Sequence, residues 1–494
     1  MAAGTAGRAL TIPMVSTPMN ELPMHPHITR VRLSRLALAL APLLLGACAS
    51  LSPDEGMAPL QSTARQQLQA ELQTARTPQD QDRIAARVAE LLRQPLSADS
   101  AVQLALLNNR GLQAGFQSLG IADAERVQAS RLPNPGFRLG RLKQGEEREI
   151  ERTLALDLGA LISLPLRRQQ AQQGLVAQQR EVALQMLALA ADTRKAFYEA
   201  VAAQQTAAYR RDAREAAQAA AELARRMQQA GNWSALDQAR EQGFLAEARL
   251  GALQAELAQG RARERLARLL GLASPDAFLL PDRLPALPAQ VEAPPDIERQ
   301  ALQGRLDLQA ARARMEASAR ALGLSRVTRF VDVLELDLKH NSASEAPRQT
   351  GVELGFEIPL FDWGEARVAR AEAQYLQDAH LAAQAVIEAR SELREAYQGY
   401  LSAHEVARHY RDELLPLARR VSDEQLLRYN GMFIGVFELL ADARTQIGTV
   451  SASIEALRDF WIARADLDLA LVGRPALAPT VAPAPSNSAR GAAH

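Results

Sequence analysis

RKAFYEAVAAQQTAAYRRD, residues 194–212, returns two hundred residues later as REAYQGYLSAHEVARHYRD, residues 394–412. At this offset Arg194, Ala196, Phe197, Ala203, Ala207, Arg211, Asp212 and Gly231 face Arg394, Ala396, Tyr397, Ala403, Ala407, Arg411, Asp412 and Gly431. The body is therefore read as two internal repeats. Each half holds a region poor in helix breakers, from Leu166 to Gly231 and from about Gly364 to Gly431, with Pro416 the one internal proline. A second such region follows in each half, from Ser234 to Gly271 and from about Val436 to Gly473. A continuous helix of about 65 residues would run roughly 100 Å. Small apolar residues at three- and four-residue steps (Leu184, Leu187, Ala191, then Phe197 and Val201) suit helix-on-helix packing. Gly231 and Gly431 are expected to end the long helices in the left-handed conformation and make two helical hairpins; a kink is the alternative.

Upstream of each long helix the period drops to two. Leu154, Leu156 and Leu158 alternate with Ala155, Asp157 and Gly159, and Val352, Leu354, Phe356 and Ile358 with Glu353, Gly355 and Glu357. Their expected partners are Phe137 to Arg141 and Phe330 to Lys339, where Leu334, Leu336 and Leu338 face away from Glu335, Asp337 and Lys339. Period two means strand. Lys143 to Glu149 and His340 to Gln349 read as polar loops. Four strands cannot close a barrel, and open edges are not tolerated in lipid. Either several chains pool their strands, a trimer giving about twelve, or the strands form a soluble sheet.

Composition excludes several classes. Of 494 residues only 4% are aromatic, and 57 Lys plus Arg balance 57 Asp plus Glu, so no global field recruits nucleic acid. The single cysteine, Cys48, rules out an intrachain disulfide and a cysteine zinc site. Arg30, Arg32 and Arg35 precede an apolar run, Leu36 to Leu45, too short for a membrane helix but suited to a signal peptide. Leu45-Gly46-Ala47-Cys48 is similar to a bacterial lipobox, which implies cleavage before Cys48 and acylation of it; several acyl chains anchor stably. Ala49 then favours outer-membrane sorting, and translation starting at Met14, Met19 or Met24 would shorten the leader.

Arg131-Leu132-Pro133-Asn134-Pro135, Ile358-Pro359-Leu360-Phe361-Asp362-Trp363-Gly364 and the stretch from Leu96 to Asn109 resemble phrases of the TolC-type outer-membrane efflux family, in the same order as there. The resemblance covers residues from about 96 to 473. It implies a mainly α fold with β. Long helical hairpins would form a periplasmic tunnel, and a membrane barrel would take four strands per protomer, about twelve in a homotrimer, with a proline at each strand-to-helix junction. It also implies hairpin tips that meet a periplasmic adaptor, itself bound to an inner-membrane pump. Gly231, Asn232, Gly431, Met432 and Phe433 are the tip candidates. Acids after the tip glycine form a pore ring in such proteins; Asp237 suits that role. In the second half Glu438 and Asp442 compete with an apolar constriction by Phe433 or Phe437.

No catalytic constellation stands out, and an enzyme is not expected. His404 and His409, five apart, do not stack on one helical face, so neither a metal site nor any cofactor is expected beyond covalent lipid on Cys48. The expected order is a signal peptide over 1–47, a lipid-anchored linker over 48–95, partly helical around Gln66 to Leu92, a first repeat over 96–290, a second over 291–473, and a disordered tail over 474–494, with prolines from 281 to 295 joining the halves. The function expected is a passive outer-membrane exit duct of a tripartite efflux or type I secretion-like system, opened at its periplasmic end by adaptor docking. A lipid-anchored periplasmic coiled-coil scaffold, or the adaptor itself, is the alternative.

Overall fold

Asp157 starts the longest element: its carboxylate accepts the Ala160 amide at 2.7 Å and caps a helix that runs 72 residues, Leu158–Gln229, about 108 Å at 1.5 Å per residue. The computed structural model describes residues 50–291, 297–328, 334–344, 347–356 and 361–474, without the side chains of Gln144, Gln300 and Phe437. By its contacts the chain divides into residues 1–50 and 51–494. Of the first unit only the exposed Ser50 is described, so the signal segment and Cys48 lie outside the described residues, as do Phe330, the Ile358-Pro359-Leu360 phrase and the tail beyond Arg474.

The second unit is mainly helical with a few strands. After α1 (Ala58–Thr63) and a π turn over Ala64–Leu68 come α2 (Pro78–Leu91), α3 (Ala98–Asn108) and α4 (Arg110–Ser130). Then follow β1 (Gly136–Gln144), β2 (Glu147–Asp157), α5 (Leu158–Gln229) and α6 (Ala235–Leu270). The second half gives α7 (Ile297–Gly304), α8 (Leu306–Val327), β3 (Leu334–Ala343), β4 (Gln349–Phe356) and α9 (Glu365–His409). A π turn over Tyr410–Leu414 leads into α10 (Leu415–Asn430), and α11 (Val436–Val472) returns. The strands form one antiparallel sheet in the order β1-β2-β3-β4. Among the described residues no helix is long and apolar enough to cross a membrane.

The linker is helical only in part: Gln69 turns left-handed (φ 52°), and α2 begins afresh where Thr77 and Asp80 cap each other ahead of Pro78. Two expectations need correction. The first long helix does not wait for Leu166. The Asp157 cap draws Leu158 and Gly159 out of the strand, and Pro165 sits inside the helix rather than at the junction. Polar residues at both ends of each expected loop belong to the strands, because a strand with one polar face carries charge at every second position and not only where it ends. The turn between β1 and β2 shrinks to Gly145 and Glu146.

Apolar packing holds the halves together. Leu60, Phe116 and Met186 centre one cluster, Leu104, Phe197 and Leu266 a second, and Leu393, Tyr400 and Phe460 a third. Tyr198 stacks on Trp461 at 5.3 Å, and Lys195 reaches Asp466 at 3.2 Å, joining α5 to α11. Alanines along one face of α5, among them Ala183, Ala190, Ala200, Ala207, Ala217 and Ala224, are buried and let its neighbours approach closely.

Candidate functional site

The sheet is inverted relative to a soluble one. Cross-strand register aligns Phe137 with Leu154, Leu338 and Val352, and Leu156 with Leu336 and Leu354, on one face. That face is the open one: Phe137, Leu139, Val352, Leu354 and Phe356 are all exposed, Val352 by 72%. The opposite face carries Thr153 and Asp337, both buried, with Arg138 near Asp337 at 3.5 Å, and an ion pair between Lys339 and Glu353. β1 and β4 are both edges, so their outer backbone groups have no strand partner among the described residues. An exposed apolar face of this extent on an open-edged sheet is what a soluble sheet avoids.

At the far end of the helices the two hairpin tips share one backbone design. In the first, Ala230, Gly231 and Asn232 donate to the carbonyls of Arg226, Gln228 and Met227; in the second, Gly431, Met432 and Phe433 donate to those of Leu427, Tyr429 and Arg428. This is the Schellman pattern, and its left-handed position is Gly231 (φ 78°) in one tip and Met432 (φ 61°) in the other. The expectation that Gly431 turns left-handed is thus corrected: it has φ −79°.

The one-residue shift has a visible origin. Upstream, Gln204 and His404 both bond a loop carbonyl, of Pro281 at 3.2 Å and of Pro288 at 3.1 Å, still two hundred residues apart. Between His404 and the tip, the Leu415 amide reaches back five residues to the Tyr410 carbonyl. Such a π turn takes up one extra residue, and it lies where Pro416 lacks an amide and would strike the preceding turn.

The acids expected at the pore take capping positions. Ser234 donates to Asp237 at 2.7 Å and accepts its amide at 3.1 Å, and Glu438 accepts the Gly435 amide at 2.8 Å. Asp442 keeps one buried carboxylate oxygen without a hydrogen-bond partner among the described residues. Met432 and Phe433 project into solvent, 92% and 84% exposed, and Asn232 is exposed as well, while the Phe437 side chain lies outside the described residues. Sequence reasoning missed Glu241. Fully buried on α6, it accepts from Arg444 of α11 at 2.6 Å, and that guanidinium lies 4.3 Å over Phe244. A tie across 203 positions leaves no local signal. Among the described residues no group of three metal-ligating side chains gathers; His404 is buried against Pro288 and His409 pairs with Glu413 at 3.2 Å.

The outer membrane efflux protein family model matches residues 298–430. Protein CyaE of Bordetella pertussis is 32% identical over 333 residues, spanning 60% of this chain and 69% of that protein. The cobalt-zinc-cadmium resistance protein CzcC of Cupriavidus metallidurans is 27% identical over 296 residues, 58% of this chain and 69% of its own length. Among solved structures, the outer-membrane channel OprN aligns with TM-score 0.65 at 21% identity over 76% of this chain and 89% of its own. The open state of the Neisseria gonorrhoeae MtrE outer-membrane channel aligns with TM-score 0.64 at 17% identity, over 79% and 89%.

Proposed function

The chain belongs to the outer membrane efflux protein family and is an outer-membrane efflux channel component, and from that premise we propose that three copies close one conduit from the periplasm to the cell exterior. The observation that carries this reading is the inverted, open-edged sheet. In lipid every backbone group needs a partner, so β4 of one copy must pair with β1 of the next until the ring closes. Three copies give about twelve strands, inside the range of bacterial barrels. The apolar face then meets lipid and the face bearing Asp337 and Glu353 meets water.

The same assembly accounts for the helices. Leu250, Leu253 and Leu257 on α6, and Leu376, Ile387 and Leu401 on α9, are exposed in the single chain; neighbouring copies would cover them as the hairpins line up into a periplasmic tunnel. Each half supplies one strand pair and one hairpin, as an internal duplication does.

The tips, with Gly231, Asn232, Gly431, Met432 and Phe433, dock the adaptor that links the channel to its inner-membrane pump. Asp237, Glu438 and Asp442, repeated around the three-fold axis with Phe437, form the constriction, where carboxylates attract cations. Acyl chains on Cys48 anchor each copy in the outer membrane. Transport through the duct is passive, and the pump supplies the energy.

Native mass spectrometry and planar-bilayer conductance test the proposal together. Purified protein should be a trimer that opens discrete conducting steps. A stable monomer that leaves the bilayer silent would overturn it and favour a periplasmic scaffold.

A further inference from the structure

The balanced net charge hides a segregation on the sheet. Beyond its apolar rows, toward the turns that lie away from the helices, the face of Phe137 and Leu154 continues with Arg141, Lys143, Arg148, Arg152 and His340. The acids Glu147, Glu149 and Glu151 alternate with these cations along β2 and so fall on the opposite face. Among the described residues no carboxylate belongs to that part of the cationic face. Lys143 stands directly across from Arg148, and Arg152 across from His340. Lys143 and Arg148, like charges in register, are unfavourable neighbours unless an anion sits between them. Arg141, Lys143, Arg148 and His340 are exposed, and Arg152 donates to Ser342 at 3.3 Å on the same face.

We infer that this basic belt binds the phosphate groups of phosphorylated lipids in the outer leaflet. The inference rests on the barrel reading above, because the sheet's apolar face must meet hydrocarbon for the belt to sit at headgroup level. Continuity fixes the occupant. The cations follow the apolar rows on the same strands and the same face, so one molecule with acyl chains below and phosphates above satisfies both. Guanidinium groups suit phosphate because they donate two parallel hydrogen bonds, and each cation near a charged leaflet adds to the attraction.

The test places the full-length protein in nanodiscs holding bis-phosphorylated lipid A or its dephosphorylated form, and native mass spectrometry counts the glycolipid retained. The wild type should retain the phosphorylated form about tenfold better. Together, Arg141→Gln, Lys143→Gln, Arg148→Gln and Arg152→Gln should abolish the preference, whereas Arg141→Lys, Arg148→Lys and Arg152→Lys should keep most of it. Inorganic phosphate should not displace the lipid. Equal retention of both lipids by the wild type, a preference that survives in the glutamine variant, or displacement by inorganic phosphate overturns the inference. If the glutamine variant does not assemble, the wild-type comparison of the two lipids decides alone. Wild-type conductance separates the two readings: a conducting trimer indifferent to phosphate sinks the belt only, while a protein that forms no pore sinks the barrel and the belt with it.

Discussion

Two corners of the molecule have the same backbone and opposite chemistry. Where α3 meets α4, Asn109 (φ −67°, ψ 116°) donates to the Leu269 carbonyl at 3.0 Å and accepts the Leu112 amide at 3.0 Å. Where α7 meets α8, Arg305 (φ −60°, ψ 125°) donates to the Ala470 carbonyl at 2.8 Å, the counterpart of Leu269 near the end of the other returning helix. The amide is neutral and finishes its work with two bonds. The guanidinium, only 1% exposed, needs Asp307, Glu392 and the Ala389 carbonyl as well. Burial works against its charge, and the two carboxylates outweigh that and hold its pKa above the usual value. A corner closed by a charge is thus secure only while complete, since losing one partner strands the others.

That contrast sets the largest expected effect. Arg305→Met takes the buried guanidinium from Asp307, Glu392 and two carbonyls and should cost about 3–5 kcal/mol; Asn109→Ala removes a cap and one carbonyl bond and should cost about 1–2 kcal/mol. Urea unfolding in detergent, followed by far-ultraviolet circular dichroism, ranks them. A smaller loss at position 305 than at 109 breaks the comparison.

The corner also differs from the tip of its own hairpin. Gly271 (φ 68°) ends α6 where an added methyl carbon would lie 2.5 Å from the Asn108 carbonyl oxygen, a backbone atom. Gly231 (φ 78°) ends α5 with nothing within 4 Å. Gly271→Ala should cost about 2–3 kcal/mol, from left-handed strain and the clash together, and Gly231→Ala about 1 kcal/mol, from strain alone. Thermal melts of the two variants measure the difference; equal costs would mean that the corner yields.

The tips sharpen the comparison at a smaller scale and show how far sequence could reach. Alternation in Leu334 to Lys339 disclosed both strand and faces, because side-chain direction follows from period alone. The expected shared plan of the halves rests on the match that begins at Arg194 and Arg394. The identity of the left-handed residue was not legible. An offset carried unchanged from those arginines to the tip assigns Gly431, whereas the π turn at Tyr410–Leu414 passes the role to Met432; the cost of one extra helical residue is set by hydrogen-bond register, which composition does not display. Glu241 and Arg305 were hidden for a related reason: Arg444 lies 203 positions from the first, and Glu392 and Ala470 lie 87 and 165 positions from the second. Met432→Gly should therefore stabilise the protein by about 1 kcal/mol, and Gly231→Met should destabilise it by a similar amount. If Met432→Gly has no effect on the melting temperature, Met432 is not strained and the two tips are less alike than their bonds indicate.

The smallest expected effect concerns something carried by the first half with no counterpart among the described residues of the second: a strap that enters at Ser52 and packs Met57 and Leu60 into the cluster around Phe116. Its clasp is Asp123 of α4, fully buried, which accepts the Ser52 amide at 2.8 Å, the Ser52 hydroxyl at 3.1 Å and the Arg126 guanidinium at 2.8 Å. Burial pushes the Asp123 carboxyl up, and these donors more than offset it, so its pKa lies below the ordinary 3.8. A carboxylate with a depressed pKa contributes stability in full above its unfolded value, about 3.9, and loses it only as pH falls through the lower folded value. The Ser52 amide should stay protected from hydrogen exchange at pH 5 and open only in stronger acid. Asp123→Asn keeps an acceptor but loses the charge, and should expose the strap to limited proteolysis a few times faster at neutral pH without moving the melting temperature of the body. Opening of the wild-type strap between pH 5 and 6 would mean that burial, not the donors, sets the Asp123 charge.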